Sequence, residues 1–560
     1  MDQFTTPCAN CSVGIVNQLI GLFIQAVFTA QCNLSPPEMW PEDYGPKVLH
    51  RGFKEEYDFI IVGAGSGGSV VASRLSENPK WKILLLEAGG DPPNEAEIPA
   101  TSYDLPGTKY DWNYFTEKSI KASISLTKGS SWPRGKMLGG CSSHNGFIYM
   151  RGNRQDYDEW EALGNTGWGW KDVLQYFKKS EGNKNDEIAD QYGGKFHNKD
   201  GLLTVELFPP NNPWKFMFIE SAQELGYKHL IDFNAKDHIG FGIGQGTICN
   251  NRRMSAAKAF LVPAKNRPNL HVLKNAHVLN LEFSGGKQVT GVKVNIANKK
   301  TLIAKARKEV ILSAGVVNTP QILMLSGIGP KYHLQDNGDL MGQINTRNDS
   351  AFPDVVYYFG VYSKNDLGLK GFFKFQTYEK SLTNRIINVN RDYHILIVFV
   401  TLNYPLSRGS IKLRGPDPNY SPKIFANYLD EQKDVETLHL GILIYLKMQY
   451  SKIFKKHGIE IIKSIVPECD KYKYGTDKYW ECHIRHVSAT NLHPVGTAKM
   501  GPDYDPDVVV DPRLKVKGVK GLRVIDACIM PVITRGNTNT PTIMIVEKGS
   551  DMIKEDWIGK

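Results

Sequence analysis

One stretch constrains this chain more than any other: Tyr57-Asp58-Phe59-Ile60-Ile61-Val62-Gly63-Ala64-Gly65-Ser66-Gly67-Gly68, a helical run, then Lys82-Ile83-Leu84-Leu85-Leu86-Glu87. A short apolar run bounded by glycines suits a strand buried in a parallel sheet. The three spaced glycines, Gly63, Gly65 and Gly68, permit a tight turn, close approach of a pyrophosphate and close helix packing. The helix that follows turns its N-terminus to the phosphates, with Ser66 in its first turn. Glu87, followed by Ala88, stands at the tip of the second strand, where a carboxylate accepts from both hydroxyls of an adenosine ribose and repels a 2′-phosphate. Strand, turn, helix, strand and acid together predict a dinucleotide site. The pattern leaves NAD and FAD both open.

At 560 residues the chain implies one large interleaved unit or two to three domains. Its net charge of +10 is spread over short Lys/Arg clusters without an aromatic platform, which argues against nucleic acid as a partner. Val13 to Ala30 is uncharged and apolar and ends in Phe28-Thr29-Ala30, the pattern of a secretory signal peptide, although Asp2 and no Lys or Arg precedes it. Asn17, Gln18 and Gln25 make the run a poor membrane span. We therefore expect a secreted protein with no stable membrane span. Cys8 and Cys11 would leave with the leader; of the six other cysteines, Cys469 and Cys482 could pair.

Further blocks carry chemistry. The run from Trp132 to Asn153 contains Gly139-Gly140-Cys141-Ser142-Ser143-His144-Asn145-Gly146, a hydroxyl-rich turn whose backbone N–H groups can point at phosphate or at a ring edge. Glu309 to Leu312 reads as a strand and Gly315 as a turn, with Thr319-Pro320 opening a helix that has proline in its first turn. Residues 157–181 alternate helix and turn around Trp160, Trp168 and Trp170, aromatics expected in the core. Residues 202–246 read as strand, helix and glycine-rich loop. Residues 392–412 are strand-rich, and 430–447 form a helix with Leu438, Leu440, Ile442 and Leu443 on its apolar side. Cys482, His483 and His486 invite a zinc reading, but no second half-site accompanies them, so no metal is expected.

The block around Gly139-Gly140, the segment Ser313 to Gly329, and the C-terminal run from His493-Pro494-Val495-Gly496 through Asp526-Ala527 to Gly536-Asn537-Thr538-Asn539 resemble the signatures of the glucose-methanol-choline (GMC) oxidoreductases, and within them the insect glucose dehydrogenase group. The resemblance implies FAD as cofactor. It implies flavin contacts at Gly139, Gly140, Asn145 and Gly146, a pyrophosphate or ribityl contact at Asp526 and Ala527, a place under the pyrimidine end for Asn539, a cofactor contact at Ala314 where the strand-turn end packs over the dinucleotide, and an adenine contact at Val278. It also implies that His493 and Asn537 form the pair facing the flavin. Oxidising an alcohol requires a base that takes the hydroxyl proton while hydride leaves carbon, which suits a histidine. An amide beside it can donate to the same oxygen.

The fold implied is α/β plus α+β: a discontinuous Rossmann-like FAD-binding domain (56–160, 241–335 and 486–560) with a cap or substrate-binding domain of mixed sheet and helices (161–240 and 336–485). Residues 1–30 are the leader and 31–55 an extended connector. After Gly329 the chain runs almost at once into Gly338 to Pro353, which resembles a much later family segment, so an internal piece is expected to be absent, with unpaired sheet edges as the consequence. The implied reaction is oxidation of the CH–OH group of an alcohol or sugar, with a quinone, another acceptor or oxygen reoxidising the flavin. The alternatives are an inactive or truncated homologue and an ecdysteroid or other alcohol oxidase using oxygen.

Overall fold

β1 (Tyr57–Val62) is buried along its whole length, as is β2 (Ile83–Leu86), so both lie inside a sheet covered on two faces. They belong to one sheet with β3 (Leu270–Leu273), β4 (Ala276–Ser284), β5 (Gln288–Ile296), β6 (Lys300–Leu312) and β7 (Leu522–Val524). The order is β3-β2-β1-β6-β5-β4, with β7 also on β6. β6 is the fork: its C-terminal residues pair in parallel with β1 and β7, while residues 300–305 pair antiparallel with β5. Its burial follows, continuous at Val310–Leu312 and interrupted before Glu309. The Rossmann-like sheet is thus assembled from three separated stretches of chain.

The computed structural model describes residues 34–209, 213–329, 334–336, 345–347, 353–463 and 465–559, together with Leu22. The expected leader (1–30) and the junction at 338–353 fall almost wholly outside the described residues.

Two helices cover the sheet beside the glycine turn: α1 (Ser66–Leu75) and the C-terminal helix Asn539–Trp557. Arg74 of α1 donates two hydrogen bonds, 2.9 and 2.7 Å, to the fully buried Glu547, which fixes the helices against one another. The helix after β6, α2 (Gly315–Leu325), corrects the expected start at Thr319-Pro320: it begins at Gly315 and holds Pro320 inside. Proline leaves the carbonyl four residues back without its helical donor. Here that carbonyl, Val316 O, accepts from Thr497 Oγ1 at 2.9 Å, which makes an interior proline tolerable. With α1 and α2 named, the C-terminal helix is α3.

The second half of the molecule is a four-stranded mixed sheet (Ile148–Tyr149, Gln245–Gly246, Leu203–Leu207, Glu181–Asn183) and an antiparallel ribbon, Val355–Tyr362 with Ile395–Leu402. Tyr157, Trp160 and Trp168 lie fully buried in the main core, as expected for core aromatics. The helix Gln432–Lys447 packs on the ribbon, but Leu443 is 37% exposed, against expectation. Leu438 and Ile442 do pack against buried clusters, and the buried positions are Asp434, Val435, Thr437 and Gly441, the last lying against Val355 and Val400 of the ribbon. Cys469 and Cys482 form a disulfide, which commits the Cys482 sulfur.

Candidate active site

A cavity of about 1490 Å³ runs from the glycine turn to the C-terminal loops. Of the residues singled out in the sequence, Gly63, Gly65, Ser66, Glu87, Ala88, Gly140, Asn145, Gly146, Val278, Ala314, Asp526, Ala527, Asn539, His493 and Asn537 all line it. Gly68 and Gly139 stand behind the wall. A Cβ at Gly68 would fall 1.8 Å from Gly63 O, so this glycine serves the close packing of α1 on the turn. Gly139, at φ +85°, donates its N–H to Ala64 O at 2.8 Å, and a Cβ on Gly140 would fall 2.8 Å from Gly65 Cα. The two glycine loops therefore interlock backbone on backbone, which no side chain would permit.

Glu87 is buried, with Oε2 accepting from Ala64 N and Oε1 from Gly89 N, both at 2.8 Å. Burial pushes its carboxyl up to about 7 against those backbone donors. Each oxygen keeps a lone pair for a further donor. Asp526 accepts from Gly315 N, Thr319 Oγ1 and Cys528 N, each at 2.8 Å, and so ties β7 to the start of α2; burial raises its carboxyl. Ser66 Oγ donates to Asn539 Oδ1 at 2.7 Å, joining the first residues of α1 and α3. Two helix N-termini thus meet at one wall of the cavity, a setting suited to an anion.

At the far end, Asn537 Nδ2 lies 3.3 Å from His493 Nε2. Asn537 stands on the loop after Arg535, whose backbone N–H donates to the buried Asp156 at 2.7 Å. Asp156 is also half of the capping box of the helix Arg154–Ala162. His493 follows Leu492, held at φ +71°, whose carbonyl accepts from Arg134 Nη2 at 3.0 Å. Thr490 N donates to Ser130 Oγ and Leu492 N to Thr490 Oγ1, so the segment around 130–134 supports the histidine loop. With Asn537 donating, His493 Nε2 is the acceptor, the state a base requires.

Sequence reasoning missed Arg134, His144 and Arg253 as site-building residues. Arg134 and His144 line the cavity, and desolvation, helped by the charges of Arg253 and Arg134, pushes His144 down to about 4. Arg134 and His144 stood inside a block already singled out, whereas Arg253 comes close only through the fold.

The residues present fit an extended dinucleotide. Gly146 and Gly315 line the cavity, and a Cβ built at either meets nothing within 4 Å, so both leave open room at its wall.

Two family models, both described as GMC oxidoreductase, match residues 57–347 and 405–545. Glucose dehydrogenase (FAD, quinone) of Drosophila melanogaster is 39% identical over 559 residues, covering 90% of this chain and 88% of that protein. Ecdysone oxidase of Bombyx mori is 33% identical over 601 residues, covering 96% and 87%. Among solved structures, pyridoxine 4-oxidase from Mesorbium loti superposes with a TM-score of 0.74 at 26% identity, covering 89% of this chain and 99% of that one.

Proposed function

Because this chain belongs to the GMC oxidoreductase family, we propose that it is an FAD-dependent oxidoreductase that oxidises the CH–OH group of an alcohol or sugar, with His493 as base and Asn537 as its hydrogen-bonding partner. The observation that carries this reading is the single cavity joining the glycine turn to the His493–Asn537 pair.

The glycine turn and the N-terminus of α1 would hold the pyrophosphate of FAD, Glu87 would accept from the ribose hydroxyls, and Val278 would contact the adenine. The turn at 139–146, Ala314 and Asn539 would hold the flavin half, and Asp526 and Ala527 the pyrophosphate or ribityl chain. Bound FAD supplies the acceptor for the hydride leaving the alcohol carbon. His493 Nε2 takes the hydroxyl proton, and the resulting imidazolium favours the developing negative oxygen. Asn537 Nδ2 donates to that same oxygen, and it holds the imidazole in place before substrate arrives. The product is the corresponding carbonyl compound.

A quinone is our first choice of electron acceptor, following the Drosophila relative. Oxygen is the second reading, favoured by the ecdysone oxidase match along 96% of this chain. Purified protein is expected to carry flavin that an alcohol bleaches without oxygen. A quinone or air then restores the colour, which separates the two acceptors. Flavin-loaded protein unmoved by a broad alcohol panel defeats the proposal. We read residues 1–30 as a leader that directs secretion, which N-terminal sequencing of protein from the culture medium tests.

A further inference from the structure

Arg253 is fully buried, yet no carboxylate of the described residues lies within ion-pair distance of it. Its Nε donates to Ala96 O at 2.6 Å, and its Nη1 donates to Ser142 O at 3.1 Å and to Asn145 Oδ1 at 2.7 Å. The guanidinium carbon sits 3.8 Å from the centre of the Phe147 ring, and Nη2 has no partner among the described residues. The acid whose charge reaches it, Glu97, is held by Lys258. Burial pushes the guanidinium down to about 9, as expected of a cation surrounded by neutral groups. A buried charge without a counter-charge is strongly unfavourable, so its place directly behind a cavity wall calls for a compensating role.

Asn145 supplies the geometry. Its Oδ1 accepts from both Phe147 N, at 3.0 Å, and Arg253 Nη1, so the amide has one orientation. Its Nδ2 has no protein partner among the described residues, and Asn145 lines the cavity. Arg253 therefore turns the donor side of Asn145 away from itself and adds its own fixed positive charge behind that donor. A flavin that accepts an electron pair gains negative charge, and a donor backed by a cation favours that state.

We propose that Arg253 is a positioning residue that raises the midpoint potential of the bound flavin, by orienting the Asn145 amide and by placing an uncompensated positive charge behind the 141–147 loop. This rests on the reading above that FAD lies against that loop. The experiment compares flavin midpoint potentials, by dye-equilibrated reduction, in wild-type protein and in Arg253→Lys, Arg253→Gln and Arg253→Met. Lys is expected to stay close to wild type. Gln and Met are expected to fall below it, Met furthest because it loses both charge and donor. If Met does not fold, Gln, which keeps a donor without the charge, carries the test.

Flavin-loaded Gln and Met proteins at the wild-type potential overturn the inference while leaving the enzyme reading intact. Loss of flavin from all three variants, Lys included, assigns Arg253 to loop architecture and likewise overturns it. Wild-type protein that cannot bind flavin overturns the underlying reading, and this inference with it.

Discussion

Asn537 Nδ2 lies 3.3 Å from His493 Nε2, although 44 residues separate them. Each is delivered by a loop pinned from elsewhere, Leu492 by Arg134 and Arg535 by Asp156. The pair's geometry therefore depends on hydrogen bonds made to its neighbours in the chain, Leu492 and Arg535.

Replacing His493 by Ala is expected to leave flavin bound and to slow its anaerobic bleaching by an alcohol about 10²–10⁴-fold, the span for loss of a general base. Asn537→Ala is expected to cost about 10²–10³-fold, as for removal of one donor to a developing negative oxygen. Stopped-flow absorbance measures both, and a His493→Ala protein that bleaches at the wild-type rate removes His493 from the chemistry.

Arg134→Met frees the Leu492 carbonyl and with it the histidine loop. Bleaching is expected to slow about 10²-fold, the effect of an ångström-scale displacement of a catalytic group. Flavin content should be unchanged, and added guanidinium should restore part of the rate.

Two glycines separate packing from binding. Gly68→Ala drives a Cβ to 1.8 Å from Gly63 O, with an expected loss of about 1–3 kcal/mol or more and release of flavin. Gly146→Ala meets no protein atom within 4 Å, so the melting temperature should move by less than the equivalent of about 1 kcal/mol while flavin binds more weakly. Thermal melts of apo-protein and flavin titrations read the two effects.

His197 sits between two acids, Nδ1 at 2.8 Å from Glu181 Oε1 and Nε2 at 2.9 Å from Asp232 Oδ2. Burial pulls its ring down, but the hydrogen bonds the ring donates to Asp232 and Glu181 outweigh burial and the nearby Arg151, so the folded value is raised. The sign is that of a cation favoured by folding: the contribution is complete below the unfolded value of about 6.5 and is lost as pH rises through the folded one. The melting temperature should fall as pH rises above about 6.5, and His197→Gln should flatten this slope. A slope that the variant leaves unchanged places the titration elsewhere.

The Cys469–Cys482 disulfide spans 13 residues of sequence, and closing a loop of that size stabilises by about 3 kcal/mol through the unfolded chain. The Cys469→Ser/Cys482→Ser protein should melt lower than wild type without reductant and match it with reductant, while flavin content stays constant.

The turn at Gly63 to Gly68, β1, β2 and Glu87 were legible because their signals are contiguous: an apolar run, glycines at set spacings and an acid at a strand tip. The buried Tyr157, Trp160 and Trp168 were legible for a similar reason, being large apolar groups near one another in sequence. Local rules failed where a distant partner changed the balance. Pro320 was read as a helix opener, and only Thr497, 181 residues from Val316, makes an interior proline acceptable. Leu443 was read as facing the core, and the close approach of the ribbon at Gly441 turns it outward.

The sequence by itself carried the glycine turn with its acid at a strand tip and, through the blocks that resemble the family's signatures, the family and the proposed His493–Asn537 pair. The turn is written in short runs whose chemistry is readable without knowing what packs on them. The tertiary structure alone decided that Arg134 would hold the carbonyl before His493, 358 residues away, that Ser66 would meet Asn539 across 473, and that Arg253 would back the Asn145 amide with a buried charge. The reason is physical: hydrogen bonds and buried charges act over a few ångströms of space, and a chain this long brings together groups whose separation in sequence carries no signal of their meeting.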